Sequence, residues 1–331
     1  TILSKKFPYS RVYVEITNLC NRNCSFCPGT VRSPKMMTAE EFGTIAEKLT
    51  GVTRYLYYHL MGEPLMHPDI VSMVNEASVC GKKVELITNA TLLTEEVTKK
   101  LLAAGIDTLW VSLDGFTKES YEAIRKGSLY SLVEKNISYF AANKGAAKLG
   151  ITFVMMKENE YELENINAFA DKTGVDFINL SHVVPGEELP ESEAIYEKNY
   201  PVGKMSRFTK EGHKKLENFC PFIQDGASFI RWDGEVCPCM QLIHSSYSYL
   251  YTEKRKIHKK SYGNINDKNF FEIWESDEYK SFRRRVLNFE FPDCTICLGC
   301  GDREENLKDC MYNIKPTCGA CLWAQGIIRC P

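Results

Sequence analysis

The segment RVYVEITNLCNRNCSFC, Arg11 to Cys27, joins a run rich in β-branched and aromatic residues to three cysteines spaced three and then two residues apart. The run reads as a strand, because such side chains suit a pleated, half-buried surface. The cysteines therefore sit just past a strand's C-terminal end. The pattern recurs down the chain. YLYYHL (Tyr55 to Leu60) runs into MGEP (Met61 to Pro64), VELITN ends on Thr88 and Asn89, TLWVSL carries Ser112 and is followed by Asp114, and FINLSHV carries His182. ITFVMM (Ile151 to Met156) supplies one more strand.

Helical spacing with start signals fills the gaps. Thr38 precedes AEEFGTIAEKL with Glu41 three residues on, which completes a capping box; Thr94 precedes EEVTKKLLAAG, with Gly105 placed as its C-cap; Thr117 precedes KESYEAI. Six strands, each but the last followed by a helix, predict a parallel α/β sheet. An open doubly wound layer and a barrel both satisfy that order. Polar groups lie at the ends of nearly all the strands, and they converge only where the rim curves round on itself. The expected fold is therefore a partial (β/α)6 barrel, open on one side.

The 331 residues suffice for one large domain plus an appendage, and a net charge of −2 removes any global electrostatic case for nucleic acid or membrane. The basic stretches KRKIHKK (Lys254 to Lys260) and RRR (Arg283 to Arg285) read as solvated faces. The opening TILSKKFPYS lacks a signal peptide's apolar stretch, and no segment approaches ~18 consecutive apolar residues, so a soluble, cytoplasmic chain is expected. In a reducing compartment, fourteen cysteines point to metal or catalysis rather than disulfides. Ten of them fall between Cys220 and Cys330, after the βα alternation has stopped. A Glu- and Pro-rich segment, Pro185 to Pro201, suggests two domains, 1–190 and 191–331. The second is expected to be small, cysteine-rich and held by metal rather than by a large apolar core. Cys80, in VNEASVCGKK, reads as a buried helix thiol.

Closed metal centres take four ligands, and the first loop offers three. Either a distant histidine completes a zinc site, or a four-iron cluster keeps one iron open. With Phe26 before the third cysteine, GEP after the second strand and six βα units in order, the chain resembles the radical S-adenosylmethionine (radical SAM) superfamily. That resemblance implies a [4Fe-4S] cluster on Cys20, Cys24 and Cys27 whose open iron binds S-adenosylmethionine, and one-electron cleavage to a 5′-deoxyadenosyl radical. It further implies Phe26 near the adenine, and Gly62, Glu63 and Pro64 at the methionyl amino group. Thr88 and Asn89 become polar cofactor contacts, and Ser112 or Asp114 contacts for ribose or substrate. His59, His67 and His182 are weaker signals, since a lone histidine is more often structural. His182, near the rim, is preferred and joins Asp114 as a candidate catalytic residue.

Further on, Cys220 and Cys239 bracket a hairpin with DGEV (Asp233 to Val236) at its tip. This resembles the opening of the SPASM domain, which implies two auxiliary [4Fe-4S] clusters. Candidate ligands are Cys220, Cys239, Cys294, Cys297, Cys300, Cys310, Cys318, Cys321 and Cys330. Ten cysteines exceed the eight that two clusters need, and Cys237 is taken as one spare. Spacing does not divide the rest: after CTICLGC come nine residues and then a further CGAC, unlike the usual SPASM gaps. Cys-x2-Cys pairs are also a zinc signature, so that reading stays open. The ending, DCMYNIKPTCGACLWAQGIIRCP, is similar to that of maturases described as modifying cofactors of tungsten oxidoreductases.

The implied activity is radical hydrogen abstraction by a maturase acting on a peptide, protein or protein-associated cofactor, fed by a low-potential flavodoxin- or ferredoxin-type donor. A small-molecule dehydrogenase, acting on an aminocyclitol or sugar alcohol, and an iron–sulfur electron carrier are the alternatives. With nineteen residues before Cys20, a peptide substrate is expected to be recognised by the barrel opening or by a separate partner.

Overall fold

A computed structural model describes residues 11–27, 33–184, 194–198, 200–209, 217–250, 253–295, 297 and 299–328. The first ten residues, most of the Glu- and Pro-rich segment and Cys330 lie outside the described residues. The six expected strands all form: β1 (Val12–Val14), β2 (Tyr55–Tyr58), β3 (Lys83–Thr88), β4 (Thr108–Ser112), β5 (Lys148–Met155) and β6 (Phe177–His182). Each pairs in parallel with the next, in sequence order. The helices between them are α1 (Ala39–Lys48), α2 (Ile70–Val79), α3 (Glu95–Ala103), α4 (Lys118–Ile124), α5 (Tyr130–Asn143) and α6 (Ile166–Thr173).

Local chemistry sets the helix ends. Thr38 and Glu41 form the reciprocal capping box at α1, and Thr94 Oγ1 accepts from Val97 N at α3. Thr117 does the same at α4 with Ser120 as its reciprocal partner, a box built without Glu or Gln. Gly105, at φ +88, ends α3 as expected.

The sheet continues beyond six strands. β7 (Gly203–Met205) adds antiparallel to β6, while β8 (Ser228–Ile230) adds parallel to β1, with Val12 opposite Ser228, and carries β9 (Val236–Cys237) antiparallel. The nine-strand order is β7-β6-β5-β4-β3-β2-β1-β8-β9. The expectation of a cysteine-rich part held by metal rather than by a large apolar core is therefore corrected: it shares the apolar cluster of the barrel. An uncovered β1 edge would leave a row of backbone groups unpaired, and β8 occupies it. Ile230, Val236, Phe270, Tyr279 and Phe282 join the same apolar cluster as Val12, Leu56 and Leu109. Beside them Phe229 is fully buried and stacks on Tyr13 at 4.5 Å, contributing ~1.5–3 kcal/mol across the seam.

Two smaller expectations change. Cys80 is exposed, not buried: it lies one residue past α2, whose inward stripe of Ile70, Met73, Val74 and Ala77 has ended, and Gly81 at φ +70 turns the chain away. The KRKIHKK stretch lies largely on β11 (Glu253–Ile257), paired with β10 (Ser246–Leu250), and it spends its charge locally. Lys254 lies 4.0 Å from the Tyr247 ring centroid, Lys256 and Lys260 meet Glu305 and Glu278, and Arg255 is buried. No described helix is long and apolar enough to cross a membrane.

Candidate active site

The loop after β1 is fixed from several sides. Cys27 N donates to Cys24 O at 3.1 Å, Ser25 N to Ile124 O at 3.1 Å, and the Arg22 guanidinium to Gly127 O. Burial foremost raises the thiol values of Cys20 and Cys24, with Glu63 acting next in that direction on Cys20 and Asp114 on Cys24, ahead of the neighbouring thiols.

The GEP segment is laced to the root of this loop. Glu63 N donates to Leu19 O at 2.6 Å. Gly62 has φ +82, and a Cβ there would stand 2.6 Å from Leu19 O and 2.8 Å from Thr17 O, so only glycine permits the approach. Pro64 is buried and begins a single 3-10 turn, Pro64–Met66, that Glu63 caps. The Glu63 carboxylate accepts from Thr88 Oγ1 (2.6 Å), Asn89 N (2.7 Å) and Leu65 N (3.0 Å). About four lone-pair sites are available on a carboxylate, so these donors leave one for a ligand cation. Burial outweighs the donors and pushes Glu63 above the usual carboxylate range. Asn89 Nδ2 donates to Asn21 Oδ1 at 2.8 Å, tying the end of β3 to the cysteine loop as well.

These groups surround a cavity of about 430 Å³ at the C-terminal rim. Phe26, Gly62, Glu63, Thr88, Asn89, Ser112 and His182 line it, and the cysteines in its wall are Cys20, Cys24 and Cys27. The C-terminal part closes the opposite side with Met240, Gln241, His244, Tyr247 and Trp323, none of which the sequence reading singled out. Ser112 Oγ accepts from Thr152 Oγ1 at 3.3 Å, and the His182 ring packs 5.5 Å from Tyr196. His67 is structural: Nε2 meets Met37 O at 2.6 Å, and Nδ1 accepts from Asp69 N at 3.1 Å. His59 lines the cavity, and burial, with Arg11 adding, lowers its pKa to about 3.

Asp114 is not on the cavity wall. Its side chain is 0% exposed, ion-paired at 2.6 Å with Arg125, and it accepts from Val154 N at 2.8 Å. The expected contact with ribose or substrate is replaced by a supporting one, because Asp114, two residues past β4, is buried against Arg125 at the end of α4. Arg125 is the residue the sequence reading missed. It lines the cavity, its Nη1 lies 3.8 Å from Cys24 Sγ, and its guanidinium lies 5.7 Å from the Phe26 ring centroid. Burial opposes that cation, but Asp114 and Cys24 outweigh it, so Arg125 stays charged. Its local sequence, Ile124-Arg125-Lys126-Gly127 at the C-terminal end of α4, carries no signal for that position.

The described C-terminal cysteines divide by position. Burial raises Cys220 to about 12, with Cys321 next; Cys239 is raised by burial first and then by Cys220 and Cys321, and Cys318 by burial and then by Cys321, Cys220 and Cys239. Those four share one half-buried neighbourhood. Cys294, raised by burial to about 11, feels Cys310 and Cys297, and its backbone N donates to Gly319 O at 3.1 Å. Cys300 lines a second cavity of about 400 Å³, which shares Tyr247 and Ser248 with the first. Cys237 lies apart on β9, opposite Phe229; burial foremost raises it to about 12, with Arg231, Glu235 and Asp233 as its charged neighbours rather than other thiols. Among the described residues no three of His, Cys, Asp or Glu are drawn tightly enough to grip a single metal ion. Grouped thiols, soft ligands when deprotonated, suit iron–sulfur clusters and zinc.

Comparison with known proteins agrees with this geometry. Residues 14–170 match the family model of the Radical SAM superfamily, and residues 220–301 match that of an iron–sulfur cluster-binding domain, SPASM. A tungsten-containing aldehyde ferredoxin oxidoreductase cofactor-modifying protein from Pyrococcus furiosus is 28% identical over 97% of this chain and 96% of its own length. A probable GTP 3′,8-cyclase from Methanococcus maripaludis is 31% identical over 66% of this chain and 74% of its own. Among solved structures, Streptococcus suis SuiB bound to S-adenosylmethionine superposes with a TM-score of 0.63 at 18% identity, covering 89% of this chain and 71% of SuiB.

Proposed function

The chain belongs to the radical SAM superfamily and carries a SPASM-type iron–sulfur domain, and from that premise we propose that it is a maturase acting on a peptide, a protein or a protein-associated cofactor. When bound, the [4Fe-4S] cluster supplies an electron that splits S-adenosylmethionine into methionine and a 5′-deoxyadenosyl radical, which takes a hydrogen atom from the substrate. Cys20, Cys24 and Cys27 hold that cluster, and Arg125 steadies the loop through Cys24 and Phe26. Gly62 lets the GEP backbone approach the loop. Glu63, with one acceptor site spare, receives the methionyl ammonium, while Thr88 and Asn89 hold Glu63 in place. Ser112 and His182 face the substrate side of the cavity, and Asp114 acts only by positioning Arg125.

Cys220, Cys239, Cys318 and Cys321 hold one auxiliary cluster, and Cys294, Cys297, Cys300 and Cys310 the other. Those eight leave Cys237 as an extra thiol, while Cys330, also a candidate ligand, lies outside the described residues. Reducing equivalents come from a flavodoxin- or ferredoxin-type donor in the cytoplasm.

The observation that carries this reading is the cavity itself: three cysteines on one loop, a carboxylate with one free acceptor site, and a wall completed by the cluster-binding domain. Likeness over nearly the whole length to the Pyrococcus cofactor-modifying protein supports the substrate class. Deuterium transfer into 5′-deoxyadenosine tests it. Transfer from a deuterated precursor peptide or from an oxidoreductase-bound cofactor is expected; transfer only from a free aminocyclitol or sugar alcohol would overturn the maturase reading.

A further inference from the structure

Glu15 lies just past β1, and its backbone N donates to Ile230 O at 2.8 Å. Its side chain is 0% exposed, yet the partner it meets is not a lysine or arginine. His244, from the C-terminal part, sets Nε2 at 2.8 and 2.9 Å from the two carboxylate oxygens. An ionised carboxylate only accepts, so Nε2 must carry the hydrogen, and in the neutral ring Nδ1 is left with its lone pair. No hydrogen bond to Nδ1 is formed among the described residues. His244 lines the same cavity as Cys20, Cys24 and Cys27.

We propose that Glu15 and His244 form the proton-accepting pair of this active site, and that the substrate carries an O–H, N–H or S–H group on or beside the carbon that loses hydrogen. The proposal rests on the radical SAM reading above. The X–H bond breaks with its electron pair left on X, the proton passes to Nδ1, Glu15 balances the imidazolium that results, and the one electron then in excess on the substrate radical leaves to a one-electron acceptor of the iron–sulfur class. A buried carboxylate that orients a histidine and offsets its charge is a recurring arrangement for proton transfer. The surroundings leave this role to His244. Arg231 donates to Ile243 O at 3.2 Å, but its charge is matched by Asp233 at 2.5 Å. Elsewhere on the wall Glu63 and Arg125 are engaged as described, and burial holds His59 down at about 3. The bland alternative is a strut between the two parts of the chain.

The test uses the cluster-loaded full chain. Diethyl pyrocarbonate, mapped by peptide mass, should label His244 about tenfold or more faster than His67, whose ring nitrogens both bond to backbone. Equal or slower labelling would overturn the proposal. With whichever deuterated substrate passes the transfer assay, His244→Gly should raise the ratio of 5′-deoxyadenosine to product about a hundredfold, as loss of a general base does. Added imidazoles should restore product in proportion to their basicity. An unchanged ratio, or a loss that imidazoles of every basicity fail to restore, would make the pair a strut. Glu15→Gln, which keeps a hydrogen-bonding partner without the charge, should raise the ratio about tenfold with iron content unchanged; iron loss there would also mark a strut. Wild-type enzyme forming no 5′-deoxyadenosine would refute the radical SAM reading instead, and the labelling comparison would then decide the pair alone.

Discussion

Arg125→Met isolates the support beneath the cysteine loop. The Asp114 and Arg125 side chains are 0% and 6% exposed and meet at 2.6 Å, so removing the guanidinium leaves a carboxylate in the core with Val154 N as its remaining donor. Breaking such a buried pair costs ~3–5 kcal/mol. Burial already pushes Asp114 upward while Arg125 holds it down, so the abandoned carboxylate takes up a proton, which limits the loss to the lower end of that range. Loss of the Arg125 contact with Phe26 adds ~0.5–1 kcal/mol. The sum is ~3–4 kcal/mol, read by anaerobic urea unfolding of the cluster-loaded chain. Asp114→Leu combined with Arg125→Met removes both charges and should recover most of the stability. It should not recover the cluster on Cys20, Cys24 and Cys27, whose electron paramagnetic resonance signal depends on the loop being anchored. A loss below ~1 kcal/mol for the single variant, or a double variant no better than the single, would refute the reasoning.

Three further outcomes follow from named contacts. Gly62→Ala forces a Cβ to within 2.6 Å of Leu19 O at φ +82, and it should cost ~1–3 kcal/mol and weaken S-adenosylmethionine binding measured by equilibrium dialysis. Cys321→Ser should remove about four irons per chain, whereas Cys237→Ser should leave the iron count unchanged; the reverse would reassign both thiols. His59 stays neutral in the fold down to about pH 3, while in the unfolded chain it takes up a proton below its ordinary 6.5. Stability should therefore fall as pH drops below 6.5, by up to ~1.4 kcal/mol per pH unit from this group, and His59→Gln should flatten that slope between pH 6.5 and 5.5.

The strands and helix starts were legible because each is a local signal. Runs such as VELIT need only their own side chains to favour a pleated surface, and Thr38, Thr94 and Thr117 each cap with atoms three residues away. The cysteine loop and GEP were legible for the same reason, as spacings within a few residues. What escaped was long-range. SFI (Ser228 to Ile230) is a three-residue run whose partner on β1 lies more than two hundred residues earlier, and nothing in it names that edge. Its docking carries His244, Tyr247 and Trp323 onto the cavity, so the opposite wall of the site was hidden with it. Asp114 was assigned a ligand role because SLDG ends a strand at the rim. Its true partner, Arg125, is brought near only by the path of α4. The grouping of Cys220 and Cys239 with Cys318 and Cys321 likewise spans about a hundred residues that spacing rules do not bridge.

The central claim is that Cys20, Cys24 and Cys27 hold a cluster that opens S-adenosylmethionine within the cavity described. Anaerobic reconstitution with iron and sulfide, followed by dithionite and S-adenosylmethionine, measures it as 5′-deoxyadenosine by liquid chromatography. The wild-type chain should form 5′-deoxyadenosine and methionine in equal amounts, and Cys24→Ala should form neither while keeping its C-terminal iron. A fully loaded wild-type chain that forms no 5′-deoxyadenosine, or a Cys24→Ala chain that forms as much, would contradict the account.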